Sequence, residues 1–471
     1  MAANLVVVAN RLPVDRATGL DGEEYWRVSP GGLVAALEPV MAAAHGAWIG
    51  WAGQPDRDDD PFEHNGFTLI PVSLSAAEIA EYYEGFANDT IWPLYHDVIA
   101  PPQFHREWWD AYQRVNARFA EAAAAAVAPG GTVWVHDYQL QLVPRLLRAL
   151  RPDVTIGYFH HIPFPAHALF AQLPWRDQVL QGLLGADVIG FQRGQDASYF
   201  LDAVRRRLGY PVRATTVSLP DGRMPLVKGF PISIDTAPYR ELSRRPDIVA
   251  RAAEIRAELG NPATILLGVD RLDYTKGIRH RIKSYGELLD QGQLSVEQVT
   301  FVQVASPSRE RVEAYMQLRD EIELAVARIN GDHDTTGHTA IRYLHQGFPR
   351  EEMVALYLAA DVMLVTALRD GMNLVAKEYV ASRGDNTGVL VLSEFTGAAD
   401  ELRQAVRVNP HDIEGLKSAI LEAVQMPRAE QSRRMRALRK RVFENDVSAW
   451  SRSFLDALDT ARQGRATKEK L

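Results

Sequence analysis

Cysteine is absent from the 471-residue chain. That excludes disulfides, thiolate metal sites and cysteine nucleophiles. No apolar run approaches the ~18 residues that a membrane span needs. The N-terminal run Leu5–Val8 lacks a basic leader and is cut short by Asn10-Arg11, so it reads as a first strand and not as a signal peptide. Positive charge is also scarce, with 52 Lys and Arg against 60 Asp and Glu, a net charge of −8. A nucleic-acid footprint is not expected, and any anion-binding surface must be local. Neither a P-loop nor an activated Ser is apparent. What remains is a cytoplasmic globular enzyme, and the length favours two or three domains.

What is present is an alternation of short β-branched runs with longer periodic segments. Strands are expected at Leu5–Val8, Trp48–Trp51, Thr132–Val135, Thr155–Phe159, Thr264–Val269, Val299–Val304, Val362–Val365 and Val389–Leu392, among others. Helices are expected at Leu33–Ala44, Gln139–Leu150, Ile278–Leu289 and Arg309–Arg328. This pattern predicts an α/β chain of two Rossmann-like, doubly wound parallel-sheet domains facing across a deep cleft. The boundary falls near Gly229–Asp235, giving domains 1–234 and 235–446. An amphipathic helix at about 447–463 is expected to pack back on the first domain, and the polar tail 464–471 to fray.

Ligands of open α/β sheets sit beyond the carboxyl ends of the strands, so the residues placed there are the candidates. After the first strand stand Asn10 and Arg11, then Gly31-Gly32 opening a helix, where amides can approach a phosphate; a plain turn is the competing reading. After Thr132–Val135 come His136-Asp137-Tyr138, and after Thr155–Phe159 come His160-His161. Adjacent histidines in extended chain point apart, and no ligand spacing supports a metal site, so hydrogen bonding to a polyhydroxylated ligand is the better reading. After Thr264–Val269, Arg271 and Lys276 flank a turn whose helix begins near Gly277, a pairing that suits a diphosphate. Arg309 follows the next strand. Tyr82-Tyr83 and Trp92 belong to an aromatic cluster that could stack on sugars or simply fill a core. The segment Arg369–Glu378 offers a strand end at Asp370, a turn at Gly371, the backbone amides of Met372, Asn373 and Leu374 at a helix start, and Glu378 one turn on. A phosphate on the amides and a ribose on the carboxylate would suit a nucleotide sugar, although an N-capped helix explains the same residues.

These motifs together resemble the trehalose-6-phosphate synthase family, retaining glycosyltransferases of the GT-B fold. The resemblance runs from Val6–Arg11 to about Val447 and includes Gly31-Gly32-Leu33, Trp48-Ile49-Gly50-Trp51, Tyr82-Tyr83, Trp92-Pro93, His136-Asp137-Tyr138, His160–Pro165, Arg271–Gly277 and Arg369–Glu378. It implies transfer of glucose from a nucleoside diphosphate to glucose 6-phosphate, by a front-face route. Arg11, Tyr83 and Arg309 would hold the acceptor phosphate, and Trp92 and Asp137 the acceptor sugar. Gly31, Gly32, Arg271 and Lys276 would hold the donor diphosphate. Phe348 and the segment Leu374-Val375 to Glu378 would hold the nucleoside, with Glu378 on the ribose, and Gly371, Met372 and Asn373 would complete the nucleotide-sugar site. His161 and Asp370 would address the moving glucose, which makes Arg271, Lys276, His161 and Asp370 the catalytic set. The first domain would bind the acceptor and the second the nucleotide sugar. No cofactor or essential metal is implied. A separate phosphatase would act downstream, because the chain ends too early to contain one, and a homo-oligomer is left open. A transferase for another sugar phosphate, a silent regulatory subunit and a phosphorylase carrying pyridoxal phosphate are the alternatives. The donor base is not legible.

Overall fold

The computed structural model describes residues 2–18, 23–29, 32–309 and 312–468. The chain divides into two compact units, Met1–Ile232 with Ser448–Leu471, and Ser233–Val447.

The first unit is built on a ten-stranded sheet. Its centre is parallel: Leu226–Gly229, Val188–Phe191, Thr155–His160, Val127–His136, Ala3–Arg11, Ala47–Trp51 and Phe67–Pro71 lie side by side in that order. Short antiparallel strands close both edges. Val6, Val7 and Val8 have no exposed surface, as a strand covered on both faces requires. The chain builds outward from Ala3–Arg11 to one side, then returns to the other side with Val127–His136. The order therefore reverses between these two strands, and a ligand crevice is expected at their carboxyl ends. Arg11 closes one strand and His136 the other.

The final helix, Val447–Lys468, lies on this unit. Phe454 stacks on Trp134 with centroids 4.6 Å apart, and Trp450 meets Phe159 edge-on at 5.0 Å. Glycine at 157 and 190 makes room for it: a Cβ at either would come within 2.8 Å of the Phe454 ring. The helix extends to Lys468; Arg465, Ala466 and Lys468 are good helix formers. Residues 469–471 lie outside the described residues.

The second unit carries a six-stranded parallel sheet in the order Ile341–Leu344, Val299–Ser306, Thr264–Arg271, Val362–Val365, Val389–Ser393, Val406–Val408. It reverses between Thr264–Arg271 and Val362–Val365, so Arg271 and the segment after Val365 stand at the second switch point. Two helices differ from expectation. The one read from Arg309 begins at Glu313, because Arg309 sits in left-handed backbone (φ 50°). The one read from Gln139 begins at Val143, after a 3₁₀ turn at Tyr138–Leu140, with Pro144 in its first turn. The hairpin Val14–Thr18/Glu24–Val28 has no counterpart in the expected strands. No helix among the described residues is long and apolar enough to cross a membrane.

Candidate active site

At the first switch point Asn10, Arg11, Asp15, Tyr83, His136 and Asp137 line a cavity of about 410 Å³. Arg11 is half-exposed, pairs with Asp15 at 2.6 Å and lies over the Trp51 ring at 4.9 Å. Tyr83 is carried by a π-helix, Ile79–Ile91, whose wide turns are rare and are often found at functional sites. Its neighbour Tyr82 points the other way into the core and donates to Asn10 Oδ1 at 2.8 Å. The two readings of the aromatic cluster thus divide by residue: Tyr82, Phe86 and Tyr95 fill core, while Tyr83 faces the cavity. Trp92 is 4% exposed and packs on His96 and Tyr138.

Asp137 adopts φ 73°, a conformation that costs a non-glycine residue roughly 1–3 kcal/mol. It is fixed there because its Oδ1 accepts from the backbone N–H of Tyr138 (3.0 Å) and of His161 (3.1 Å). Asp137 and His161 are therefore one unit bridging adjacent strand ends. His160 and His161 point apart: His160 Nδ1 meets Tyr158 Oη at 2.9 Å, and His161 Nε2 meets His136 Nδ1 at 3.0 Å. Gly32 begins the helix Gly32–Ala44, and Gly31 lies outside the described residues.

Burial holds His136 well below the ordinary histidine range and His160 and His161 at about 3. The unfolded chain binds these protons near pH 6.5, the folded chain only well below that, near pH 3 for His160 and His161, so stability is complete above pH 6.5 and falls as pH drops below it. For the fully buried pair His136 and His160 the expected loss is up to ~1.4 kcal/mol per site per pH unit. Urea unfolding of the first unit, followed between about pH 7 and pH 5, checks this slope; a flat profile contradicts it.

At the second switch point Lys276 Nζ donates to Asp370 Oδ2 at 2.6 Å, and Asn373 Nδ2 donates to the same oxygen at 3.2 Å. Gly277 makes the turn after Lys276 and its close approach to the chain before Asp370 possible: its φ is 65°, and a Cβ there would fall 2.1 Å from the Thr366 carbonyl oxygen. Asn373 (φ 82°) caps the helix Leu374–Ser382 by accepting from the Ala376 N–H at 3.0 Å. The cap takes the third helical amide. The N–H groups of Leu374 and Val375 have no acceptor within the helix and are oriented for an anion. The N-cap of this helix is thus Asn373, three residues beyond Asp370. Glu378 is half-buried one turn on, accepts from Tyr357 Oη at 2.8 Å, and is raised above the usual carboxylate range by burial, against the hydrogen bonds from Tyr357 and Tyr239. Gly371 is buried in the turn, and Phe348 stands half-exposed beyond the strand Ile341–Leu344.

Arg271 is exposed at its strand end, and Arg309 lies 3.7 Å from Asp273 Oδ2 and donates to Tyr315 Oη. Asp273 is a residue the sequence reading passed over. It is 1% exposed; burial would raise its carboxyl, but the Arg309, Arg271 and Lys276 charges prevail and hold it at about 2. It also accepts from Thr275 N and Oγ1, so it locks the turn that carries Lys276. The loop after Val389–Ser393 was missed too. Asp370 N–H donates to Phe395 O (3.2 Å), Gly397 N–H to Asp370 O (3.3 Å) and Ala398 N–H to Met372 O (2.8 Å), so this loop straps the Asp370–Met372 turn in place. An Asp-x-Thr turn signal at 273 was available; nothing in the sequence marks the strap. Among the described residues no group of three or more His, Asp or Glu side chains could hold a metal ion.

Residues 3–460 match the model of glycosyltransferase family 20. The chain is 56% identical over 470 residues to the trehalose-6-phosphate synthase of Mycolicibacterium gilvum, covering 97% of this chain and 93% of that one. Among solved structures it is similar to a trehalose-6-phosphate synthase studied with bisubstrate glycomimetics for glycosyl transfer with retention (34% identity, TM-score 0.88, 97% of this chain and 99% of that one). It is equally similar to a UDP-forming α,α-trehalose-phosphate synthase from Burkholderia xenovorans in complex with glucose-6-phosphate (33% identity, TM-score 0.88, 97% and 99%). Full-length agreement in sequence and backbone, with polar strand ends at both switch points, assigns this chain to glycosyltransferase family 20.

Proposed function

We infer that the chain transfers glucose from a nucleoside-diphosphate glucose to the anomeric hydroxyl of glucose 6-phosphate, giving α,α-trehalose 6-phosphate and the nucleoside diphosphate with retention of configuration. The observation that carries this reading is the Lys276–Asp370 pair beside a helix start whose first amides are open to a phosphate. Cation, dipole and carboxylate meet there as a departing diphosphate and a sugar require. The bond from the anomeric carbon to the diphosphate oxygen breaks, and the acceptor hydroxyl bonds to the same carbon on the same face. The hydroxyl proton passes to the leaving phosphate.

In this scheme Arg271 and Lys276 take the charge that develops on the leaving group, with Gly32 and the Leu374–Val375 amides on its phosphates. Glu378, held by Tyr357, takes the ribose, and Phe348 packs near the base. Arg11 and Tyr83 hold the acceptor phosphate and Asp137 the acceptor sugar, with Trp92 backing Tyr138. His161 and Asp370 address the transferred glucose. The phosphate ester that results is material for a separate phosphatase, and the reaction is placed in the cytoplasm.

Nucleotide release from UDP-, ADP- and GDP-glucose, each with and without glucose 6-phosphate, tests the reading. Release that depends on glucose 6-phosphate is expected. Equal release with fructose 6-phosphate favours the alternative acceptor, and acceptor-independent release rejects the assignment. Arg309→Ala is expected to raise the acceptor KM by roughly 10–100-fold, the scale of one lost charge-assisted hydrogen bond, while the donor KM changes little. Equal effects on both would remove Arg309 from the acceptor phosphate.

A further inference from the structure

We propose that His136 is a positioning residue that holds His161 in its Nδ1–H tautomer, so that His161 presents an N–H donor to the sugar being transferred. The proposal rests on the reading that places His161 at that sugar. It begins with register. His136 pairs with Phe159 across parallel strands, and His161, two residues beyond Phe159, projects from the same face. The His136 Nδ1 to His161 Nε2 distance is 3.0 Å, with the rings 5.3 Å apart.

Two neutral imidazoles can share only one N–H···N bond, in which one ring donates and the other accepts. Burial keeps both rings neutral. His136 has no exposed surface, and its Nε2 is buried without a hydrogen-bond partner. If His136 accepted at Nδ1, its proton would sit on that Nε2 as an orphaned donor, beside Trp134 at 4.8 Å and Phe159 at 6.5 Å between ring centroids. Orphaned buried N–H groups are rarer in folded proteins than under-satisfied acceptors. His136 therefore donates through Nδ1, His161 accepts at Nε2, and the only ring proton of His161 lies on Nδ1. Its backbone N–H is already spent on Asp137 Oδ1, so backbone and ring are both fixed.

Long-range proton–nitrogen spectra of the full chain carrying 15N-histidine decide the tautomer directly. His161 is expected to show a bare Nε2 and a protonated Nδ1; a protonated Nε2 overturns the proposal. Two variants test the consequence. His136→Asn keeps an N–H near the position of Nδ1 and is expected to retain most of kcat/KM for the nucleotide sugar. His136→Leu removes that donor and is expected to lose about tenfold, with His161 then a tautomer mixture. A Leu variant that keeps both rate and tautomer overturns the proposal, as does an Asn variant no better than Leu. If neither variant folds, the wild-type spectrum still decides. His161→Phe with unimpaired transfer would instead reject the placement of His161 at the sugar, a result distinct from the tautomer itself.

Discussion

Replacing Lys276 by alanine is expected to lower kcat by ~10²–10³, the loss typical of one donor aimed at developing transition-state charge, with little change in either KM and no loss of fold. The ammonium lies 2.6 Å from Asp370, and Lys276 is only 9% exposed, so the charge acts where water screens it poorly. The turn that carries it does not depend on it. Asp273 holds the backbone through Thr275, and Gly277 supplies the left-handed residue. Asp370 keeps its Asn373 partner and its backbone tie to Phe395. Lys276→Arg is not a rescue, because a planar fork cannot replace a point charge on a flexible stem in the space beside Asp370. Thermal unfolding within a few degrees of wild type, together with single-turnover rates, separates this from misfolding. Near-normal kcat would show that the pair with Asp370 is structural and that the leaving group is stabilised elsewhere.

Why Lys276 could be picked out of the chain is a matter of topology. Strands buried on both faces must be apolar throughout, so Thr264–Val269 and Val362–Val365 announce themselves, and whatever polar residue follows them stands at a sheet edge. That made Arg11, Asp137 and Arg271 legible at once, because each ends a strand or directly follows one; Asp370, read as a strand end, stands five residues beyond Val365. Their partners were not legible. Asp273 meets Tyr315 and Arg309 across more than thirty residues, and the strap Phe395–Ala398 works through backbone groups that carry no side-chain signature. The His136–His161 pair lay in plain view, but only the register of two parallel strands shows that these rings share a face while His160 turns away. The positive-φ residues Asp137, Arg309 and Asn373 were also hidden. Their strain is imposed by surrounding contacts and not by local propensity. The start of the helix Glu313–His333, expected at Arg309, is misread for that reason.

Arg281 makes the complementary case, a residue with no ligand to touch and the largest expected effect on stability. It has no exposed surface, pairs with Asp270, and donates to the carbonyls of Leu364 (2.6 Å) and Lys276 (3.3 Å). One guanidinium thus ties together the two strands between which the sheet order reverses and the turn that carries Lys276. Burial pushes the Asp270 carboxyl up, and the nearby Arg281 and Lys276 charges oppose it. Arg281→Met leaves that carboxylate buried without its nearest cation, which is expected to cost ~3–5 kcal/mol. Adding Asp270→Asn should recover much of the loss, since removing both charges of a buried pair is far cheaper than removing one. The location of the damage is testable as well as its size. All nine tryptophans lie at positions 26 to 175 or at 450, within the first unit, so tryptophan emission follows that unit and not the second. Hydrogen exchange in Thr264–Asp290 and Val362–Val365 is expected to accelerate in Arg281→Met and to recover in the double variant, while Trp134 and its neighbours keep their emission in native conditions. Protection unchanged within about 1 kcal/mol would mean that water or a rearranged Lys276 replaces the arginine. The pair would then be a spectator of the switch point, with no part in holding it.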